Sequence, residues 1–364
     1  MNIKVWQVLV NEESLKHLKT LDDNLFDSCI TDPPYHLASI LKRFGPGQKG
    51  INNRDEKEGR NGPYHRAAKG FMGQTWDGGD IAFQKGFWEQ VYRTIKPGAV
   101  LLAFAAPRNY HRMAVAIEDA GFEIFDMINW IYGTGFPKRK NYLKPAHEPI
   151  VMARKGVNPS LNVDDSRIPY KDENDRSGWH TTGADGSKGY MGTGTFKIRK
   201  ISAEEIKERT KDGRYPANVI HDGSDEVIDE FKKFGETKST GGGGKKTISK
   251  NLNVFKNKWG EITYPKDVGF GDVGTPARFF YSAKATKKEK GDTKHPTVKP
   301  LSLMRYLIKL VTPKGGLVLD PFAGTGTTGE ACILEDRQYY LIEQSTDYMK
   351  DLEKRLNKYN KAFL

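Results

Sequence analysis

A carboxylate, two prolines and a tyrosine stand together near the amino terminus, directly after a short apolar run. The tetrapeptide is Asp32-Pro33-Pro34-Tyr35, and the run before it covers residues 26–30. Because prolines cannot continue a β-ladder, the run is predicted to be a buried strand that ends here and carries Asp32 and Tyr35 out of the sheet. Proline also lacks an N–H donor, which leaves the neighbouring backbone carbonyls free to accept hydrogen bonds. Acceptors beside an aromatic ring suit a planar group that bears an NH2.

The alternative for this tetrapeptide is an ordinary surface turn, since Asp and Pro are both common turn formers. A second tract at residues 317–331 favours a functional site instead. It combines an apolar strand, a glycine turn and the start of a helix, and glycines at such a turn let a cofactor lie against the backbone. About 20 residues further on, another apolar run ends in Glu343, where nucleotide-binding α/β units carry the acid that holds ribose hydroxyls.

The glycine pattern Gly324-x-Gly326-x-x-Gly329 also satisfies the dinucleotide fingerprint, which makes an NAD-dependent oxidoreductase one alternative. Three features disfavour it. The tract lies near the carboxyl terminus, its strand ends in Asp-Pro-Phe, and a dehydrogenase has no use for the separate Asp-Pro-Pro-Tyr. A P-loop is excluded because no Gly-Lys-Ser/Thr follows the glycines.

Together, the two tracts closely resemble the amino-methyltransferases of DNA, which transfer a methyl group from S-adenosylmethionine to an exocyclic amine of adenine or cytosine. The catalytic tract precedes the cofactor tract, which resembles the permuted beta class of this family. The resemblance implies an α/β fold: a permuted, Rossmann-like methyltransferase sheet with an inserted target-recognition region. It implies a catalytic half at residues 1–155 with a mobile loop at 36–79, a target-recognition region at 156–274, and a cofactor-binding half at 275–364.

The resemblance also implies roles for the residues of the catalytic tract. Asp32 and the Pro33 carbonyl accept the two N–H bonds of the amine, so placement and electrostatics supply most of the catalysis. Tyr35 stacks on a target base that has been flipped out of the duplex. Pro34 completes the tetrapeptide. Because Asp heads it, the family leans towards adenine N6 as the acceptor, with cytosine N4 as the alternative and an inactive DNA-binding relative as a further one.

The expected cofactor-binding residues follow the second tract. Glycines let the backbone approach the methionine part, and a side chain at Gly326 is expected to fill that space. Thr297 and Lys299 are candidates for the cofactor carboxylate, although Thr-x-Lys-Pro is also an ordinary helix start, and both can hold. Relatives commonly carry Gly-Asp as an adenine-side contact where this chain has Asn11-Glu12-Glu13, so that contact is left unassigned. The full expected set is Asp320, Pro321, Phe322, Gly324, Gly326, Thr327, Glu343, Thr297 and Lys299.

Charge and composition fit a nucleic-acid partner. The chain has 364 residues and a formal net charge of +12, and such a surface attracts polyanions. Cys29 and Cys332 suggest neither a disulfide framework nor a zinc site, and no His pair has metal-ligand spacing. No leader or long apolar run is evident, so a cytoplasmic protein without a membrane segment is expected. Double-stranded DNA is the expected partner, and the resemblance leaves a cognate restriction endonuclease and a homodimer open.

The elements that position these tracts alternate between strand and helix, which predicts a parallel sheet covered by helices. Basic residues in the loop at 36–79 are expected to grip phosphates, whereas arginines of the region 156–274 are expected to reach base edges. The loop residues are Lys42, Arg43 and Lys49, and the arginines are Arg199 and Arg214. The periodicity predicts helices at 13–21, 81–95 and 111–120, and strands at 100–104, 122–125 and 129–132.

Overall fold

The computed structural model describes eight stretches of the chain, and the fold is given for these. They are residues 6–35, 80–133, 143–156, 161–170, 213–235, 237–238, 273–283 and 298–360. The strands are β1 (Gln7–Val10), β2 (Phe26–Thr31), β3 (Ile95–Phe104), β4 (Glu123–Ile131), β5 (His147–Arg154), β6 (Val219–His221), β7 (Thr237–Lys238), β8 (Val273–Gly274), β9 (Tyr281–Ser282), β10 (Leu317–Asp320) and β11 (Gln338–Ile342). The helices are α1 (Ser14–Leu18), α2 (Lys85–Thr94), α3 (Tyr110–Asp119), α4 (Asp225–Lys232), α5 (Leu301–Val311), α6 (Thr327–Leu334) and α7 (Thr346–Asn360).

Within the described residues, nine strands form one sheet in the order β1-β11-β10-β2-β3-β5-β4-β6-β9. The first five strands in this order are parallel to one another, whereas β5 is antiparallel to both β3 and β4. A mostly parallel sheet with helices in its connections is Rossmann-like. The α/β class predicted from the sequence is therefore confirmed.

The amino-terminal and carboxyl-terminal parts of the chain meet at the centre of this sheet. β10 pairs in parallel with β2, with Val318 opposite Ser28 and Leu319 opposite Cys29. Both strands are buried along nearly their whole length, which explains why their sequences are apolar without strict alternation. The strand pairing therefore brings the two tracts side by side, although they are far apart in sequence.

One hydrophobic cluster holds the central strands against two helices. α2 contributes Phe87, Trp88 and Val91 to the cluster, and α3 contributes Met113 and Ile117. Residues of five strands complete it, and in β3, β5, β10 and β11 they recur at every second position, which places them on one face of the sheet. The strand residues of the cluster are Phe26, Cys29, Ile95, Ala99, Leu101, Ala103, Val151, Ala153, Leu317, Leu319, Tyr340 and Ile342.

Several predicted elements differ from the structure at their ends. The helix expected at 13–21 is only α1, which starts after Glu13, because the Glu13 side chain caps it by accepting from two backbone N–H groups. The helix expected at 81–95 starts at Lys85, after a 3-10 turn. The two strands expected at 122–125 and 129–132 are the single strand β4, whose register shift between Ile124 and Asp126 absorbs the break in pattern.

A second compact unit comprises Arg167–Ala217 and Asp225–Tyr281. In it, Ile168 and Arg214 exchange backbone hydrogen bonds of 2.9 Å. The intervening residues Asn218–Ser224 belong to the first unit, where they form β6. Within the region 156–274, β6 therefore belongs to the main sheet. The role of this region in target recognition stays a prediction. Among the described residues, no helix is both long and apolar enough to cross a membrane.

Candidate active site

The two tracts end at the same edge of the sheet. β2 finishes at Thr31 and β10 at Asp320, and the Thr31 hydroxyl donates to Asp320 Oδ1 at 2.9 Å. Parallel neighbours present their carboxyl ends together, and ligand sites of open α/β sheets lie there. A cavity of about 770 Å³, including space open to solvent, occupies this edge. Its lining includes Asp32, Pro34, Lys299, Asp320, Pro321, Phe322, Gly324, Thr325, Thr327, Glu343, Gln344 and Tyr348.

Asp32 is held by two donors on the catalytic side of this edge. The ammonium of Lys299 lies 2.6 Å from Asp32 Oδ2, and the Tyr35 hydroxyl donates to Asp32 Oδ1 at 2.6 Å. A second carboxylate, Glu148 of β5, completes the cluster. Its Oε2 atom lies 3.1 Å from Lys299 Nζ and 3.2 Å from the Tyr35 hydroxyl. One ammonium is therefore shared by two carboxylates.

The environment fixes the ionisation of both donors. Burial raises the pKa of the Tyr35 hydroxyl, and the carboxylates of Asp32 and Glu148 raise it further, so Tyr35 stays neutral and donates. For Lys299, burial works to lower the pKa, but the same two carboxylates outweigh it and raise the pKa, so the ammonium stays charged. Its Nζ also lies 4.8 Å from the centroid of the Phe104 ring, a cation–π distance.

Asp320 is committed to internal hydrogen bonds. Besides Thr31, it accepts from the backbone N–H of Phe322 at 3.1 Å and from the Thr328 hydroxyl at 2.5 Å. Burial raises its pKa to about 6, against the opposing effect of these three donors. The hydrogen bonds of Asp320 therefore stabilise the conformation of the loop between β10 and α6.

Glu343 ends β11 and faces the same cavity. Its Oε2 accepts from the Gly324 backbone N–H at 2.9 Å, and its Oε1 accepts from the Ser345 backbone N–H at 2.7 Å. Burial raises its pKa to about 6, although both hydrogen bonds favour the ionised form. A carboxylate offers about four lone-pair positions, so these two bonds leave acceptor capacity directed at the cavity.

The structure corrects the expectation for Gly326. Its backbone is left-handed, with φ +79°, and a Cβ built there would lie 2.7 Å from Leu352 Cγ of α7. The space in front of Gly326 is therefore filled by helix packing, and the prediction that a side chain there would occupy the cofactor space is wrong. Gly324 also has a positive φ, 53°, and lines the cavity together with Thr327.

Other contacts hold the two tracts in place. The Ser14 hydroxyl donates to the Pro321 carbonyl, and the Asn109 side chain donates to the Tyr35 carbonyl. The ring of Phe322 packs on Phe87 of α2 at 5.2 Å between centroids. These contacts make the cavity walls part of the hydrophobic cluster.

The segment Asn11-Glu12-Glu13 is engaged within the protein. The Asn11 side chain donates to the Glu343 carbonyl at 2.7 Å. Glu12 pairs with Lys16 and His17, while Glu13 caps α1. The segment thus joins β1, α1 and the end of β11.

Sequence reasoning predicted the two tracts that meet at this edge but missed Glu148, Ser14 and Asn109, which contact them. Each of these reaches the site across the sheet or between segments far apart in sequence, and no local pattern marks it. Arg214 lies in the second unit with its guanidinium 4.8 Å from the Tyr170 ring centroid. Four predicted DNA contacts and one predicted cofactor residue lie outside the described residues: Lys42, Arg43, Lys49, Arg199 and Thr297.

Fold and pocket define an α/β protein of the Rossmann-like type, with an Asp-Pro-Pro-Tyr tract beside a glycine turn at the carboxyl edge of its sheet. Residues 26–354 match the family model N6_N4_Mtase, described as DNA methylase. Because that match spans most of the 364 residues, the chain belongs to the N6/N4 family of DNA methylases.

Individual relatives agree with this family. Over 67 residues, the chain is 51% identical to the type II methyltransferase M2.MboI of Moraxella bovis, covering 18% of this chain and 24% of the relative. The aligned stretch spans between 24% and 34% of the length of this and two further type II methyltransferases. M.HindIII of Haemophilus influenzae is 24% identical over 347 residues, covering 88% of this chain and 85% of the relative. The solved structure of the cytosine-N4-specific PvuII DNA methyltransferase has a TM-score of 0.46 and 14% identity, covering 99% of this chain and 96% of that one.

Proposed function

We propose that the protein is a site-specific DNA methyltransferase that methylates the exocyclic N6 of adenine, with S-adenosylmethionine as the methyl donor. The observation that carries the proposal is the convergence of Asp32-Pro33-Pro34-Tyr35 with the glycine turn and Glu343 at one cavity. Family membership supports an exocyclic amine as the acceptor. Asp at the head of the tetrapeptide favours adenine over cytosine.

The residues that line the cavity fit such a donor. Glu343 offers carboxylate lone pairs suited to ribose hydroxyls, and Gly324 leaves the loop backbone uncovered. The Phe322 ring supplies an apolar wall that α2 fixes from behind. When bound, S-adenosylmethionine supplies an electrophilic methyl group on a positively charged sulfur.

Asp32 and the Pro33 carbonyl do the chemistry that this chain contributes. An exocyclic amine is a poor nucleophile because its lone pair is delocalised into the ring. Hydrogen bonds from its two N–H groups to these acceptors draw the nitrogen towards a tetrahedral shape and free the lone pair for attack. The methylated amine is very acidic and loses its proton readily, so no strong base is required.

Tyr35 and the DNA-facing segments complete the proposal. The amine of a paired base is inside the duplex, so the base must leave the stack before Asp32 can reach it. Stacking on an aromatic ring such as Tyr35 recovers about 1–3 kcal/mol of the cost. The phosphate contacts assigned to the loop 36–79, the base contacts assigned to the region 156–274, a cognate endonuclease and a homodimer all stay predictions.

Mass spectrometry of nucleosides tests the proposal. DNA is incubated with the protein and isotopically labelled S-adenosylmethionine, then digested to nucleosides. Labelled N6-methyl-2′-deoxyadenosine is the expected product. Labelled N4-methyl-2′-deoxycytidine alone would overturn the adenine assignment and leave a cytosine-N4 methyltransferase, whereas the absence of any labelled nucleoside across DNA of varied sequence would contradict methyl transfer to DNA.

A further inference from the structure

Glu148 is a charged residue of the candidate site that the proposed function does not use. It lies on β5, the antiparallel strand between β3 and β4, and its side chain is 19% exposed. Sheet pairing places it opposite Trp130 of β4, far in sequence from every motif of the two tracts. Its position in the cluster is therefore set by the fold.

A single oxygen of Glu148 contacts both donors that hold Asp32. Its Oε2 lies 3.1 Å from Lys299 Nζ and 3.2 Å from the Tyr35 hydroxyl. Each of these donors reaches a different oxygen of Asp32, at 2.6 Å in both cases. Glu148 itself makes its contacts through the donors, so any effect on Asp32 passes through Lys299 and Tyr35.

We propose that Glu148 is a positioning residue that fixes the orientation and acceptor strength of Asp32. The inference rests on the proposed function, in which Asp32 accepts a hydrogen bond from the target amine. Anchoring Lys299 and Tyr35 keeps the Asp32 carboxylate in one orientation. Sharing the ammonium keeps Asp32 from being its only counter-ion, so the carboxylate retains strength to polarise the amine.

Glu148→Gln tests the inference because it keeps the shape of the side chain and removes its charge. Turnover is expected to fall by about 10- to 100-fold, the range that coupling between touching polar groups corresponds to. The Michaelis constant for DNA and the calorimetric dissociation constant for S-adenosylmethionine are expected to stay within about threefold, because Glu148 is placed on neither ligand. Glu148→Asp keeps the carboxylate and is expected to retain more turnover than Glu148→Gln.

Glu123→Gln is the matched control. Glu123 lies on β4 and pairs with Arg154 of β5 at 2.6 Å. The same Glu-to-Gln change at Glu123 therefore breaks an ion pair between β4 and β5, at the opposite end of this strand pair from Glu148. It is expected to leave turnover unchanged. An equal loss in Glu123→Gln and Glu148→Gln would show a general weakening of the sheet and overturn the positioning role.

A double-mutant cycle with Lys299→Met tests whether Glu148 acts through Lys299. In the Lys299→Met background, Glu148→Gln is expected to cost clearly less turnover than in wild type, because the charge it balances has gone and only its contact with Tyr35 is left to lose. Full additivity of the two losses would overturn the inference. The wild-type enzyme separates the two proposals: no methyl transfer by wild type counts against the proposed function, whereas transfer by wild type and undiminished transfer by Glu148→Gln counts against the positioning role alone.

Discussion

Two buried carboxylates, Asp320 and Glu343, lie at the carboxyl edge of the sheet. Burial raises the pKa of Asp320 and of Glu343 to about 6, yet the two side chains differ in what they can still bind. Asp320 accepts from three donors of the protein, one from β2, one from its own loop and one from α6. Glu343 accepts from two backbone N–H groups and keeps lone pairs that face the cavity. Glu343 is therefore the carboxylate whose protonation should change ligand binding.

Cofactor affinity is expected to fall as the pH drops through about 6. Above the pKa of Glu343, the ionised carboxylate is expected to accept hydrogen bonds from the ribose hydroxyls of the proposed cofactor. Below it, protonation removes the charge and turns one acceptor oxygen into a donor. Calorimetric titration with S-adenosylmethionine from about pH 5 to about pH 8 measures this fall in affinity. Glu343→Gln is expected to bind the cofactor weakly at every pH in the range. A wild-type affinity that does not change across the range would contradict a cofactor-binding role for Glu343.

Positions at the site that depend on local pattern could be predicted from the sequence, and those that depend on sheet pairing could not. Asp32 and Glu343 each follow an apolar run, and strand ends meet at one edge. Glu148 comes before Pro149 and the apolar run 150–153, and the pairing of β5 with β3 and β4 brings it to Lys299. Gly326 was assigned to the ligand because a glycine turn suggests close approach, but its missing Cβ faces Leu352.

Helix packing determines the conformation of the turn between β10 and α6 as much as its glycines do. α6 begins directly after Gly326, and α7 lies against that turn through Leu352. A further glycine, Gly329, has its Cβ position 2.7 Å from Leu341 of β11. Small residues here let α6 lie close to its neighbours.

Gly326→Ala is expected to lower the free energy of unfolding by at least about 1–2 kcal/mol, because the left-handed backbone alone costs this much for an L-residue. The contact with Leu352 adds to the loss. Chemical denaturation monitored by circular dichroism measures it. Gly86→Ala is the matched control, since its Cβ would meet nothing within 4 Å and alanine in α2 should raise stability by up to about 1 kcal/mol. Equal stabilities for the two variants would contradict the packing argument.

The strands that carry continuous apolar runs were predictable as elements, and the bounds of several others were not. β2, β3, β10 and β11 are marked by buried apolar runs, and prolines follow closely after β2 and β10. β4 was split in two because a bulge between Ile124 and Asp126 breaks its alternation. β6, only three residues long, carries too little sequence to be recognised and depends on β4 for its partner.

Across the whole molecule, the net charge of +12 favours DNA through its phosphates. Neutralising Lys42, Arg43 and Lys49 is expected to weaken binding to all DNA sequences. It is also expected to lower the slope of log binding constant against log salt concentration by up to about 0.9 per lost phosphate contact.

Arg214→Ala is expected to alter which sites are methylated and to leave this salt slope nearly unchanged. Binding titrations at several salt concentrations and long-read mapping of methylated positions measure the two effects. A site preference that changes in the loop variants but not in Arg214→Ala would reverse the assignment.

We propose that two tracts almost three hundred residues apart in sequence form one active site. In it, Asp32 orients the amine, and the glycine turn together with Glu343 binds the methyl donor. The most direct measurement is methyl transfer to DNA by wild type and Asp32→Ala, with the cofactor dissociation constant measured on the same preparations. Asp32→Ala is expected to lose at least about 100-fold in turnover while its cofactor affinity stays within about tenfold of wild type. An Asp32→Ala protein that transfers methyl groups at the wild-type rate would contradict the claim.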